Sequence, residues 1–273
     1  MTQVFNPRSI AQEMLTVQRD NHQIEPFSTR LTDLTVTQAY EVACLMHQAR
    51  IDDGWVSAGR KIGFTNADMW ERYGVREPIW SSMYDRTIRY VPGNQAVSHT
   101  GQLCELKVEP EIVVHFQSAP PASGEWADIL ACIDWIALGY EMVQSHFPDW
   151  TFKAVDTIID SGLHVELLVG QPLDITGAGP ELLTILEQFE VRLYLNDEQC
   201  DQGSGANVLG SPLKAVAHLI SVIAANPTMA PIQAGELITT GTLTKAWSVT
   251  PGEIWRTEVG GLDLPALTVS FAE

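Results

Sequence analysis

The sequence predicts an α+β protein, and three observations predict it. Helical periodicity is strongest before about residue 52 and returns only in isolated stretches later. Most of the chain between is made of short alternating segments bounded by Gly, Pro, Asn and Asp, the pattern of strands and turns. With 273 residues, 45% of them hydrophobic, the chain can bury one large core or one core with a helical appendage.

Taken in order, the stretch from about Pro7 to His22 is expected as a first helix, with Ile10, Met14 and Val17 on one face and Pro26 beyond its end. A second helix is expected after Thr35, where Thr35 and Gln38 can form a capping box. Its stripe is Val36, Ala39, Tyr40, Ala43 and Met46, and Asp52-Asp53-Gly54 breaks it. These helices carry no cluster of chemical groups, so packing is the role they suggest. A short strand over 59–66 then leads into a helix expected around 67–73. Gly74 to Trp80 reads as a turn entering extended chain, Tyr84 to Val91 as a strand, and Pro92-Gly93-Asn94 as a turn. Val108 to His115 alternates as a strand, a polar loop follows over 118–124, and Trp126 to Ile136 has helical spacing. The chain becomes extended again through Glu141. Val165 to Val169 and Glu190 to Leu195 read as strands, with Asn196-Asp197 a hairpin turn. A helix is expected over about Pro212 to Ala225, and Ile238 to Thr242 and Leu267 to Phe271 are expected as terminal strands.

Charge narrows the partners. A net charge of −18 argues against nucleic acid or an anionic membrane surface, although a bound cation can reverse the field locally for a small anionic substrate. Cys44, Cys104, Cys132 and Cys200 lie far apart and form no Cys-x-x-Cys pair, which fits buried thiols in a reducing compartment. No signal-like leader or membrane-spanning run is evident, so a cytoplasmic protein is expected. Gly203-Ser204-Gly205-Ala206 lacks the Lys-Ser/Thr ending of a phosphate loop.

The chemistry centres on Val108-Glu109-Pro110-Glu111-Ile112-Val113-Val114-His115. On a strand, Glu109 and Glu111 share a face. Neighbouring carboxylates among apolar residues repel one another, and a hard divalent cation such as Mg²⁺ or Mn²⁺ relieves that repulsion. A third carboxylate, Glu141, sits in a similar setting. Spacing alone favours glutamates on a solvated sheet face. On composition Lys61 between Arg60 and Ile62 reads first as a surface lysine, and Asp156, Asp160 and His164, spaced by four, also suit a solvated helix cap.

Taken together, the motifs resemble the 2-hydroxypentadienoate hydratase and 4-oxalocrotonate decarboxylase family, within the fumarylacetoacetate hydrolase superfamily. The resemblance rests on Gly59-Arg60-Lys61-Ile62-Gly63-Phe64-Thr65, Glu109-Pro110-Glu111-Ile112 and Tyr140-Glu141-Met142-Val143. Ser145 with Asp149-Trp150, Val155-Asp156-Thr157, Gly203 to Pro212, and Thr240-Gly241-Thr242 with Pro251-Gly252-Glu253 extend it over nearly the whole chain. It implies a rolled, mostly antiparallel β catalytic domain (59–273) after a smaller helical part (1–58). It implies Mg²⁺ or Mn²⁺ held by Glu109, Glu111 and Glu141. Lys61 falls at the active site, Asp156 on an acidic position of the family, and Thr240 and Thr242 beside the substrate.

The implied activity is hydration of a 2-hydroxy-2,4-dienoate to a 4-hydroxy-2-oxo acid in the catabolism of aromatic or related compounds. Decarboxylation of a vinylogous 2-oxo acid, C–C hydrolysis of an acylpyruvate, and a non-catalytic partner subunit are the alternatives. A homo-oligomer, and association with a related decarboxylase or hydratase, are also implied. The chain departs from the hydratases at Pro78-Ile79-Trp80-Ser81, which is closer to the decarboxylases, at Asp160-Ser161-Gly162-Leu163, and at His146 in place of an arginine. These departures make His164 a candidate for proton transfer and His146 one for substrate contact or proton transfer.

Overall fold

The structure is a computed structural model that describes residues 4–66, 70, 77–122, 125–225 and 229–273. Asn6 caps the first helix, α1 (Pro7–Asp20), by accepting from the Ser9 N–H, and Asn21 in the left-handed region ends it. After the single turn α2 (Phe27–Arg30), helix α3 (Val36–Asp52) starts at the expected Thr35–Gln38 capping box. The predicted stripes are the buried ones: Ile10, Met14 and Val17 of α1 pack with Ala39, Val42 and Met46 of α3. That core also takes in Ile79, Phe147, Ile158 and Ile159, so the helices seal against the part of the chain that carries the site.

The strands form two sheets. The first contains β1 (Ser57–Gly63), β2 (Ile79–Tyr84), β3 (Ile88–Tyr90), β5 (Lys107–Phe116), β6 (Ile133–Val143), β7 (His164–Val169) and β11 (Leu237–Thr239), in the order β2-β1-β11-β5-β6-β7-β3. Short strands β8 (Leu173–Asp174) and β12 (Trp247–Ser248) lie beside β6 and β5. The second contains β4 (Gln95–His99), β9 (Glu190–Leu195), β10 (Glu198–Ser204), β13 (Ile254–Gly260) and β14 (Leu267–Ala272), in the order β10-β9-β13-β14-β4. Among the described residues, four further helices, α4 (Trp126–Leu130), α5 (Ala154–Ile159), α6 (Glu181–Gln188) and α7 (Pro212–Ala224), make this an α+β fold.

The expectation of a mostly antiparallel sheet is corrected here, because both sheets are mixed. β1 runs parallel to β11, β3 to β7, and β4 to β14. Each of these pairs joins strands far apart in the chain, where no tight hairpin imposes an antiparallel return. The roll is seen in part. β2 and β3 end the strand path of the first sheet on opposite sides, yet only Asp85–Thr87 separates them, which draws those two edges together.

Two local expectations also fail. Tyr84 to Val91 is not one strand, because the Thr87 hydroxyl bonds both the N–H and the carbonyl of Tyr84 (3.3 and 3.1 Å) and fixes a 3-10 turn. Trp126 to Ile136 is not one helix. It stops at Leu130, and Ile133 begins the long strand that pairs with β5. Ile129, Leu130, Ile133 and Ile136 still enter a single core, so the apolar spacing was informative about burial and misleading about conformation. The helix expected around 67–73 and the start of the turn at Gly74 lie outside the described residues, apart from Trp70. Against the expectation that no run could span a membrane, Gly205–Ala224, which takes in nearly all of the helix expected over about Pro212 to Ala225, is long and apolar enough to do so by length and composition. Half of it is buried in the fold, and Leu213, Val216, Leu219 and Ile223 belong to the main core.

Candidate metal centre

β5 lies in the interior of the first sheet with both faces covered, which is why Val113 on the glutamate face is as buried as Ile112 on the other. Pairing of β5 with β6 sets Glu109 opposite Glu141 and Glu111 opposite Gly139. The glycine is required: a Cβ there would lie 2.6 Å from Val113 Cγ2 and 3.2 Å from the Leu168 carbonyl. Carboxylate oxygens of Glu109, Glu111 and Glu141 consequently lie within 4.8 Å of one another. Glu111 and Glu141 are 1% and 0% exposed, and Glu109 is partly exposed.

The surroundings treat the three differently. Glu141 is held on both oxygens, by Lys61 Nζ at 2.9 Å and His164 Nδ1 at 2.8 Å. Burial disfavours its charge, but Lys61 and His164 outweigh burial and hold its pKa below the usual carboxylate value. Glu111 accepts from the Gly241 N–H at 2.9 Å. Gly241 has φ +101°, and a Cβ there would fall 1.9 Å from Thr65 Oγ1, so a glycine is needed to present that N–H. Burial, reinforced by the other two carboxylates, still pushes Glu111 well above its ordinary value. Glu109 is pushed up to about 7 by burial, with Glu141 adding to the effect and Lys61 opposing it. Burial opposes the charge of Lys61, and Glu141, Glu109 and Glu111 together override it and raise its pKa. One lysine thus faces three carboxylates, and two of them are strained toward the neutral form. An all-oxygen donor set with excess buried negative charge is what a hard divalent cation requires, so the residues fit Mg²⁺ or Mn²⁺.

These groups open onto a cavity of about 330 Å³. Lys61, Glu109 and Glu111 line it with Thr242 and Thr244, and Phe64, Trp150, Phe152 and Leu163 supply apolar walls. Lys107, whose ammonium lies 3.7 Å from the Trp150 ring centre, and the exposed Lys245 complete it.

A family model described as fumarylacetoacetate (FAA) hydrolase C-terminal matches residues 76–269. The chain belongs to the fumarylacetoacetate hydrolase family. Among its relatives in that family, a 2-keto-4-pentenoate hydratase of Paraburkholderia xenovorans (strain LB400) is 29% identical over 256 residues, covering 92% of this chain and 90% of that one. A 4-oxalocrotonate decarboxylase of Pseudomonas putida is 26% identical and covers 90% of this chain and 89% of its own. In fold, the chain matches the 4-oxalocrotonate decarboxylase from Pseudomonas putida G7, solved with magnesium and adipate, with a TM-score of 0.88, 23% identity, and coverage of 98% and 99% of the two chains.

Within this fumarylacetoacetate hydrolase fold, the residues singled out from the sequence fall into two groups. Glu109, Glu111, Lys61 and Thr242 line the cavity, and Glu141 completes the carboxylate cluster beneath it. His164 lies behind Glu141, with its second ring nitrogen 2.9 Å from Thr87 Oγ1. Thr240 donates to the Ile112 carbonyl at 3.1 Å and is fully buried beside the site. The structure does not bring Asp156 or His146 to the cavity lining. The Asp156 carboxylate accepts from the N–H and hydroxyl of Ser28 (2.8 and 2.6 Å) and from the Lys153 N–H (2.8 Å), tying α2 to the start of α5. The His146 ring pairs with Asp160 at 2.8 Å, both groups being buried. Sequence reasoning missed Lys107, Thr244, Lys245 and the aromatic wall. Lys107 carried a readable signal, since it stands two residues before Glu109 on one strand and shares its face.

Proposed function

We propose that this chain is a divalent-metal-dependent hydro-lyase that converts a 2-hydroxy-2,4-dienoate to a 4-hydroxy-2-oxo acid. The observation that carries this reading is the cluster of Glu109, Glu111 and Glu141 within 4.8 Å, facing a cavity that also presents Lys61. Glu109, Glu111 and Glu141 would hold Mg²⁺ or Mn²⁺. When bound, the ion supplies positive charge and open ligand positions for the carboxylate and 2-oxygen of the substrate.

The rest is work for the chain's own residues. In the first half of the reaction the 2-hydroxyl proton leaves and a proton is added at C5, giving the 2-oxo-3-enoate. In the second half, water adds across C3 and C4, with its hydroxyl on C4 and a proton on C3. Lys61 is the protonated group at the site, set by Glu141, and it faces the negative charge that builds on the substrate oxygens. Thr242 and Thr244 offer hydroxyls to the substrate and to the attacking water, while Phe64, Phe152 and Trp150 flank the diene. Lys107 and Lys245 draw an anion into a protein whose net charge is −18. His164 orients Glu141 in this scheme. The helical part (1–58), the catalytic part (59–273), a homo-oligomeric state and a cytoplasmic setting belong to the same reading, although the four free cysteines are exposed (Cys44) or half-buried (Cys104, Cys132, Cys200) rather than buried.

A second reading, decarboxylation of a vinylogous 2-oxo acid, is favoured by two features. Lys107 and Lys245 can hold a second carboxylate, and Ile79, from the segment that departs from the hydratases, lines the cavity. The test is to follow dienoate absorbance in the purified chain with Mg²⁺ or Mn²⁺, offering 2-hydroxypenta-2,4-dienoate and a 2-oxo-enedioate in parallel. A 4-hydroxy-2-oxo acid from the first supports hydration, and CO₂ release from the second supports decarboxylation. No metal-dependent change in either would overturn both readings.

A further inference from the structure

Lys61 has two acceptors. One is Glu141, and the other is the carbonyl of Gly162, 2.8 Å from the ammonium. That carbonyl reaches the lysine because the chain bends sharply after α5. Ser161, Gly162 and Leu163 have φ of +53°, +66° and +66°, three left-handed residues in succession, two of which are not glycine. Such a run seldom forms unless its surroundings impose it. The bend also presses on the lysine stem. A Cβ on Gly162 would lie 2.9 Å from Lys61 Cδ and 3.1 Å from Ser81 Cβ.

The groups that hold the bend come from the amino-terminal helices. Gln18 of α1 donates to Asp160 Oδ1 at 2.9 Å and to Ser161 Oγ at 3.2 Å. Arg50, in the last turn of α3, donates to Ser161 Oγ at 3.1 Å and to Gln18 Oε1 at 2.5 Å. Arg50 is itself kept in place, with its guanidinium 5.1 Å from the Tyr84 ring centre and 5.7 Å from that of Trp55. On the other side, His146 donates its backbone N–H to Asp160 and pairs its ring with the same carboxylate. Gln18 and Arg50 thus grip the first residue of the bend, and the second residue grips Lys61.

We infer that Gln18 and Arg50 are positioning residues for Lys61, acting through the left-handed bend Ser161–Leu163. The inference rests on the proposed role of Lys61 at the metal centre. With the bend held, the ammonium is shared between a carboxylate and a neutral carbonyl, and stays poised at the cavity wall. With the bend released, Gly162 turns its carbonyl away and the ammonium is left to Glu141 alone, where it competes more strongly with the cation for that ligand. The amino-terminal helices thereby set the geometry of a reacting group, in addition to packing.

The test uses the full chain with saturating Mg²⁺. Arg50→Met and Gln18→Leu each remove part of the grip while keeping an aliphatic side chain, and the second covers the case in which the first folds poorly. Both are expected to lower kcat by about 10-fold to 10²-fold, as small misplacements of a reacting group do, with KM changed less than about twofold. In a Lys61→Met background the same substitutions should produce no further loss, whereas a general loosening of the fold would lower activity in both backgrounds. A readout independent of turnover comes from lysine-selective ¹⁵N labelling, since the chain has five lysines and Lys61→Met identifies the Lys61 signal. That signal should shift in Arg50→Met while that of Lys214 stays put. Unchanged kcat, equal losses in both backgrounds, or an unmoved Lys61 signal would each overturn the inference. If the wild type acts on no dienoate but the Lys61 signal moves, the failure belongs to the proposed function and the positioning stands.

Discussion

Glu109 gives the sharpest test of the metal centre, because its effect on stability has a definite sign. Its pKa is raised from 4.5 to about 7 in the folded, metal-free protein. An acid whose folded pKa lies above its unfolded value stabilises the fold fully below the unfolded pKa. That contribution is lost as pH rises through the folded pKa. Between about pH 4.5 and 7 the metal-free protein should therefore lose stability, by about 3 kcal/mol for the full difference at about 1.4 kcal/mol per tenfold change in proton activity. Glu111, also raised by burial and by the other two carboxylates, has the same sign and adds to the loss. Glu141 has the opposite sign, but its pKa is lowered, so its transition falls below this window. At about 2 °C per kcal/mol for a chain of this size, the fall in Tm due to Glu109 is about 6 °C. Thermal unfolding from pH 5 to 8.5 in chelator, comparing wild type with Glu109→Gln, isolates the effect from other titrating groups. Added Mg²⁺ or Mn²⁺ should stabilise the wild type much more at pH 8 than at pH 5.5, since the cation replaces the protons the cluster would otherwise hold. Equal pH slopes in the two proteins, or stabilisation by the cation that does not grow with pH, would refute the reasoning.

Four further outcomes are expected. Lys61→Met should reduce kcat by on the order of 10²-fold or more while Mn²⁺ affinity, measured by calorimetry, is kept or improved. The same variant should destabilise the metal-free protein by roughly 3 kcal/mol, because Glu141 loses a buried partner. Asp156→Asn should lower stability in denaturant by about 1–3 kcal/mol and leave kcat within twofold, since its oxygens serve Ser28 and Lys153 rather than the cavity. Light scattering at micromolar concentration should give a mass at least twice the 30.1 kDa of one chain; a monomer alone would contradict the oligomeric reading.

What could be read from the sequence follows from how far apart the interacting residues are. Glu109 and Glu111 were legible as a pair because two-residue spacing on a strand fixes a shared face. The stripes of α1 and α3 were legible for the same local reason. Glu141 could be joined to them only through a motif, because its register opposite Glu109 depends on how β5 and β6 pair. The mixed sheets were not legible, since each parallel pair unites strands that no local turn connects. The grip of Gln18 and Arg50 on Ser161 spans 143 and 111 residues, and nothing in either helix announces it.

Residue type carries less than it first suggests. Asp156 and Glu109 are both acidic residues that the family resemblance singles out. The difference is in what their oxygens meet. Three donors converge on Asp156 and leave it as a tie between two helices. Glu109 instead directs an oxygen toward two other carboxylates, and burial, with Glu141 adding to it, raises its pKa to about 7 and disfavours its own charge. The two histidines divide in a similar way. His146 meets a buried aspartate away from the cavity, whereas His164 backs the one glutamate that also holds Lys61. A carboxylate whose partners are all donors is explained by the fold alone. A group of carboxylates that burial and mutual repulsion push toward protonation is explained only by something positive that the protein itself does not supply in full. Lys61 provides one charge of it, and the remainder is the physical case for a divalent cation at this centre.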